Sequence, residues 1–547
     1  MADIKIIHKK RFIDYILLIL IVIVYGLNIY YLTFINSAPP KWDEAVHLRD
    51  SFVFYNILKD PSQISFKVIK EIINKSDLYP LIRPSGYYPP MAPVVTSFLY
   101  FIFDMSAETA VMSNLIFLLI LVFSVYKIGV LILDRSSGLV ASFLILLFPL
   151  ILEHSIIYYL DLPLTAFTAL AVFALLKTDY FRKTRFSAFA GFCFGLGMLT
   201  KWTFFFFILG PLFYFIFKAF KSYYREGKSE SFFILTKHFK NILLFIFIGI
   251  ITFGPYYFPI LSQLLKETFK YSHGPLSHGP DYIISFDSII FYFTALWKYM
   301  ITPLGFILFL SGIIFLLISK NRDKTFLLIW IIIPYLIFTF IIQTKTPRFM
   351  MPWLIPISLL ISFSIMKISS FKFLNVKLNI GKYAAKLSIL LFLILFIRED
   401  LKLRDYTIET SRGNWKLNEI ISTLQKDLIR NKSATQLENK PIYLGTIPDH
   451  YFINGQTIRY YAALKQLPLN VIKLQDYSNS ADKKFVQQFD RYDYILTKDR
   501  KNIVIPSFQK SVDDMNAFFY SQINNFEKLK TFTEPDSSEV SIFKRKR

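Results

Sequence analysis

Runs of apolar residues recur along this chain from residue 13 to residue 397, and no other feature limits its fold so strongly. The hydrocarbon core of a bilayer is ~30 Å thick and takes ~20 apolar helical residues to cross. Inside it every backbone polar group must be satisfied within the segment, so repeated long runs imply a bundle of helices. Spans are expected near 13–36, 111–131, 138–153, 162–176, 186–200, 203–219, 241–260, 298–319, 325–342, 349–366 and 385–397. The run 91–104, "MAPVVTSFLYFIFD", is shorter. As a helix it reaches only ~21 Å and reads as an interfacial or re-entrant helix. Beyond 397 the composition turns mixed and polar. The expected fold is a polytopic α-helical membrane protein of about eleven transmembrane helices plus an interfacial helix. It comprises a membrane domain over 1–397 and a soluble α/β domain over 398–547.

The bulk numbers agree. Hydrophobic residues make up 54% of the 547, and mean hydropathy is +0.43, above ordinary soluble domains. The basic N-terminus leads into an apolar run too long for a signal-peptide core, so it reads as a retained first span. With one cysteine, Cys193, no intramolecular disulfide can form. A net charge of +23 would suit nucleic acid in a soluble chain. In a polytopic one it reflects cytoplasmic loops facing anionic lipid, and no nucleic-acid partner is expected.

Charge also fixes the sides. If 91–104 does not cross, the segments 1–12, 127–135, 177–185, 218–240, 320–324 and 367–386 share one side, with 24 Lys+Arg against 6 Asp+Glu. The opposite loops, 37–90, 153–161, 201, 261–298 and 343–348, hold 13 against 11. The positive-inside rule then makes the N-terminus cytoplasmic and the C-terminal domain extracytoplasmic. On that outer face fall "KWDEAVHLRD", "SGYYPPM", "EHSIIYYLDLPL", "TKW", "SHGPLSHGPDY" and "TKTPRFMMP".

Each candidate has a bland reading beside a chemical one. Asp43 and Glu44, at the outer end of the first span, can move a proton, hold a metal or orient a hydroxyl, or can be solvated loop charges. His47 pairs with Asp43 or caps a helix. Asp161 stands before a proline, as helix-starting acids do, yet shares a face with Asp43. Lys201 is either a snorkelling lysine or a phosphate ligand. Arg348, with Lys345 nearby, has the same two readings, and its planar fork suits phosphate oxygens. His273 and His278, in "HGPLSHGP", are weak candidates for a divalent metal, since their spacing matches no zinc motif. No Walker loop or Rossmann glycine pattern occurs, so a donor carried by the membrane is expected in place of a nucleotide.

These blocks carry a resemblance. "WDEAVH" resembles the Asp-Glu signature in the first outer loop of protein O-mannosyltransferases. "YYPPM" resembles the His-Pro-Pro-Leu motif that follows it, with Tyr88 in the place of the family's histidine. "LDLPLTAF", "LTKW" and "TPRFMMPWLIP" are similar to later blocks of that family and of the lipid A aminoarabinose transferases. Both are GT-C glycosyltransferases, and the resemblance covers about residues 13–366. It implies a catalytic role for Asp43 and a binding or positioning role for Glu44. Asp161 falls near a second acidic position, and Tyr88, His47, Lys201, Lys345 and Arg348 are expected to bind substrate. The implied reaction moves a sugar from a polyprenyl-phosphate donor to an acceptor protein, lipid or glycan, with inversion. A lipid phosphate leaves without protonation and needs its charge neutralised, while the acceptor hydroxyl needs a base. The rival reading is a transporter or flippase of a lipid-linked sugar. Such proteins often show internal repeats and midplane sites, and the sequence shows neither.

In the soluble part, "KPIYLGTIPDHYFINGQTIRYYAALKQLPLNVIKLQDY" reads strand, loop, helix, strand, and "RYDYILTKD" reads as a further strand.

Overall fold

The structure, a computed structural model, describes residues 2–61, 88–225, 231–272, 285–321, 323–370, 380–432, 442–474, 489–499 and 509–546. The chain divides into two compact units, both discontinuous in sequence. Unit 1 comprises Met1–Thr33, Tyr87–Ala92 and Val111–Arg404; unit 2 comprises Phe34–Gly86, Pro93–Ala110 and Asp405–Arg547. The contact division falls at Arg404, close to the boundary expected at 397, and Phe34–Gly86 is grouped with the C-terminal segment.

In chain order the helices begin with α1 (Ala2–Ile35), α2 (Trp42–Lys59), α3 (Met91–Leu99), α4 (Ala107–Met112), α5 (Asn114–Ile132), α6 (Arg135–Leu144) and α7 (Pro149–Ser155). Next come α8 (Asp161–Lys177), α9 (Thr184–Met198), α10 (Phe204–Arg225), α11 (Ser231–Ser272), α12 (Phe286–Ala295), α13 (Pro303–Ile318) and α14 (Lys324–Phe340). The series ends with α15 (Leu354–Ser370), α16 (Ile380–Arg412), α17 (Leu417–Lys432), α18 (Gly455–Leu464) and α19 (Gln509–Ser521).

Each expected span coincides with one of these helices or with a helix pair. Among the described residues, five helices are long and apolar enough to cross a membrane, or six if the bent pair α6–α7 counts as one span. The others are shorter or less apolar; α8 has 17 residues and α9 has 15. The bend of 62° between α6 and α7 has a local cause. Phe148 is extended, and Pro149 can only restart a helix at its first turn.

Within unit 1 close packing comes from small residues. Lipid supplies little hydrophobic drive between helices, so backbone approach and dispersion must hold them. A Cβ on Gly191 would lie 2.4 Å from the Phe245 carbonyl oxygen, and one on Gly195 would lie 2.4 Å from Thr252 Cβ. This small-xxx-small pair seats α9 against α11. Of the five long apolar helical segments, Pro347–Ser370, which ends in α15, is the most deeply buried. Its serines 358 and 362 donate to the carbonyls of Ile355 and Leu359, so no hydroxyl there is left unsatisfied.

Unit 2 carries a five-stranded sheet in the order β2-β1-β3-β5-β4. Strands β1 (Ile442–Thr446), β2 (Leu469–Lys473) and β3 (Tyr494–Lys498) are parallel, with Ile442 opposite Leu469 and Leu444 opposite Tyr494. The antiparallel hairpin β4 (Phe526–Thr533) and β5 (Glu539–Arg545) closes one edge, with Ile495 opposite Phe543. Period-two alternation sends Leu444, Val471 and Leu496 to one face and Ile495 and Phe543 to the other. The first face packs on Leu417, Ile420, Ile421 and Leu424 of α17, spaced as one helical stripe. The second packs on Val512, Met515 and Phe519 of α19. The α2 segment belongs to this unit by contact: Phe52 lies 5.5 Å from Tyr460, centroid to centroid, and Thr457 Oγ1 donates to the Pro40 carbonyl at 3.1 Å. The run expected to be interfacial forms α3 and a turn, with Phe98, Phe101, Ile102 and Phe103 exposed.

Candidate active site

In unit 1 the chemistry gathers at the start of α8. Asp161 is the first helical residue, and its carboxylate is almost fully buried. A charge placed there needs partners, since desolvation without them costs several kcal/mol. It has two. Lys201 Nζ donates to Oδ1 at 2.7 Å, and Arg348 Nη1 lies 3.9 Å from Oδ2. The second distance is too long for a hydrogen bond, so that pair is Coulombic. Arg348 is instead seated on aromatic faces, its guanidinium 4.6 Å above the Tyr159 ring centroid and 5.4 Å from that of Phe349. Lys201 Nζ lies 4.9 Å above Phe349. Asp161, Lys201 and Arg348 thus form one close group of charges, with cations of the kind that bind an anion.

Local structure fixes each member. Lys201 follows the end of α9, where its N–H bonds to the Gly197 carbonyl at 3.3 Å and its carbonyl accepts the N–H of Phe204. Gly197 is required, because a Cβ there would meet the Phe204 ring at 2.2 Å. The segment before Asp161 is gathered by Asn114. Its buried amide donates to the carbonyls of His154, Ser155 and Ile157 at 3.4, 3.1 and 3.1 Å. Arg348 stands in a short 3-10 turn over Pro347–Trp353, anchored by Trp353 Nε1 on the Ile331 carbonyl at 3.0 Å.

The other candidates of unit 1 fall as follows. Tyr88 offers its carbonyl to the Tyr256 hydroxyl at 2.8 Å, and Met91 N–H bonds to the Leu199 carbonyl at 2.9 Å. The "YYPPM" and "LTKW" blocks therefore meet through their backbones. Lys345 is buried, and its ammonium donates to the carbonyls of Phe338, Thr339 and Ile342 at 3.1, 3.1 and 2.8 Å. Three donors on three carbonyls make it a cap on the end of α14. Burial pushes its ammonium down to about 8.

In unit 2 the "WDEAVH" block opens α2. Asp43 and Glu44 lie in its first turn, where acids favour the helix dipole. Glu44 closes a capping box, its Oε2 accepting the Lys41 N–H at 3.3 Å. Asp43 is half-buried, while His47 is buried one turn further on. His273 and His278 lie outside the described residues. Among the described residues no group of three or more His, Cys, Asp or Glu is placed to hold a metal ion.

Sequence reasoning brought Asp161, Lys201 and Arg348 to one face but not into contact. It passed over Tyr159, which seats Arg348, and Asn114. A lone asparagine opening an apolar helix was the available signal for Asn114.

This architecture is shared with solved proteins of low sequence identity. ArnT from Cupriavidus metallidurans bound to undecaprenyl phosphate superposes with TM-score 0.54 at 11% identity, over 96% of this chain and 97% of that one. The archaeal oligosaccharyltransferase AglB from Archaeoglobus fulgidus, in complex with an inhibitory peptide and a dolichol-phosphate, superposes with TM-score 0.54 at 12% identity. That match covers 96% of this chain and 74% of AglB. Residues 88–234 match the family model described as dolichyl-phosphate-mannose-protein mannosyltransferase. A sequence search of curated proteins gives no match.

Proposed function

We propose that this chain is a multi-pass membrane glycosyltransferase that takes a sugar from a polyprenyl-phosphate carrier and passes it to an acceptor hydroxyl outside the cytoplasm. The observation that carries this reading is the buried Asp161 held by Lys201 and Arg348. The cations receive the carrier's phosphate. Asp161 holds them in place and keeps their mutual repulsion from spreading them. The leaving group is an anion that needs no proton, so fixed positive charge is the help it requires. Asp43 takes the proton of the acceptor hydroxyl, whose oxygen attacks the anomeric carbon as the bond to the phosphate oxygen breaks. Attack from the face opposite the phosphate inverts that carbon. Glu44 and His47 bind substrate in unit 2, Tyr88 binds it in unit 1, and Lys345 supports the turn that carries Arg348. Similarity to proteins solved with undecaprenyl phosphate and with dolichol-phosphate supports the donor class.

The test is transfer by purified protein in detergent, with polyprenyl-phosphate sugars as donors. Wild type should release carrier phosphate, and Lys201→Ala and Arg348→Ala should each raise donor KM at least tenfold. Protein that binds the donor but never cleaves it would instead support a carrier of lipid-linked sugars. The orientation is tested by Lys228→Cys in a Cys193→Ala background, which should resist an impermeant thiol reagent in intact cells.

A further inference from the structure

Beside the helix start that carries Asp43, unit 2 presents a group of aromatic rings that the proposed chemistry does not use. Trp42 has φ 21°, a backbone conformation that non-glycine residues rarely adopt. The constraint is met because the indole is placed against Tyr451, ring centroids 4.8 Å apart and planes at 44°. Lys41 Nζ donates to the Tyr406 hydroxyl at 2.8 Å and lies 4.9, 5.9 and 5.6 Å from the ring centroids of Tyr406, Tyr451 and Phe452. Tyr451 is 43% exposed and Tyr406 is 50% exposed, while Phe452 beneath them is buried in the core of the unit.

The turn that offers Tyr451 and Phe452 is rigid. Asn454 holds it from both sides: its amide donates to the carbonyls of His450 and Tyr451 at 2.9 and 3.3 Å, and its Oδ1 caps α18 at Gln456 and Thr457. A surface turn tied down in this way gives its rings a fixed orientation.

We infer that Trp42, Tyr451 and Tyr406, with Lys41 between them, form a subsite for a sugar ring of the acceptor, which makes the acceptor a glycan or glycolipid. The inference rests on the glycosyltransferase reading above. The chemistry matches that occupant. Exposed aromatic faces stack on the apolar C–H face of a pyranose, while an ammonium and neighbouring carboxylates bond its hydroxyls. Lys41, Asp43 and Glu44 supply those groups within four residues of Trp42. A lipid tail would exclude the lysine.

Two measurements on full-length protein in a zwitterionic, sugar-free detergent test this. In the first, mannotriose and chitobiose are titrated against the intrinsic tryptophan fluorescence. Wild type should give a saturable change for at least one of them. Trp42→Phe should reduce its amplitude, and Tyr451→Ala should weaken binding about tenfold or more. In the second, acceptor and donor KM are measured separately with a short glycan acceptor. Tyr451→Ala should raise acceptor KM about tenfold and leave donor KM and thermal stability unchanged, while Tyr451→Phe should behave as wild type. No sugar-dependent signal in wild type, or an unchanged acceptor KM in an active Tyr451→Ala protein, overturns the subsite. Saturable sugar binding in a protein that never cleaves the donor upholds the subsite and defeats the glycosyltransferase reading.

Discussion

The two carboxylates that the sequence marks for chemistry are held in opposite ways. Asp161, in unit 1, is buried and matched by Lys201 and Arg348. Asp43, in unit 2, is half-buried in the first turn of a helix. In the proposed reaction the matched carboxylate, Asp161, holds its two cations in place for the carrier's phosphate. The half-buried one, Asp43, is proposed to take the acceptor's proton. Burial and partners, more than residue type, divide the labour between them.

The comparison breaks most readily at Asp43. Asp43→Asn keeps the size of the side chain and removes the base, so turnover should fall ~10²–10⁴-fold. Donor KM and melting temperature should stay near wild type. Full turnover in a folded Asp43→Asn protein would leave Asp43 as a helix-start charge. Asp161→Asn should behave differently. It leaves two poorly solvated cations short of a partner, and breaking such a pair costs about 3 kcal/mol. Thermal unfolding in detergent should show the loss, together with a raised donor KM. If Asp161→Asn is as stable as wild type and loses only kcat, the roles are reversed.

A third buried acid sharpens the contrast. Glu534, in unit 2, is 3% exposed, and its Oε2 accepts the Lys416 N–H at 3.0 Å. The nearby Lys498 is committed to Asp536 at 3.0 Å. Burial, followed by the Asp536 charge, pushes Glu534 up to about 7 from 4.5. The folded unit therefore keeps a proton that the unfolded chain releases between those values. Stability should fall as pH rises from about 4.5 to about 7, by about 3 kcal/mol, and level off above. Hydrogen exchange in β4 and β5 should show that slope, and Glu534→Gln should flatten it. The smallest effect belongs to Glu44. Glu44→Ala should cost roughly 0.5–1 kcal/mol of α2 stability through the lost capping box, and Glu44→Gln should restore it.

The membrane helices were legible because their signal is length and apolarity, which need no partner to be read. Strands β1, β2 and β3 and helix α18 were legible for a similar reason, since each carries its own period. The hairpin β4–β5 was not. "FEKLKTFT" places lysines along a strand of which only Phe526 and Phe532 are buried, so its alternation is faint. Contacts across sequence left no trace either. Asp161 and Lys201 are 40 residues apart, and nothing in either block names the other. Lys345 is a different case. Its cap reaches back only three to seven residues, and a lysine just past an apolar helix is a signal that was available.

The discontinuity of unit 2 governs when its α2 segment can be packed. Pro40 waits for Thr457, 417 residues later, and Phe52 waits for Tyr460. At ~5–20 residues per second of synthesis, the α2 segment stands without its packing partner for roughly 20–80 s, while the helices of unit 1 are being made. The candidate base is thus delivered among the first residues and seated among the last. A chain that stops before α18 lacks the residues that pack on α2, so truncation there should leave α2 unsupported.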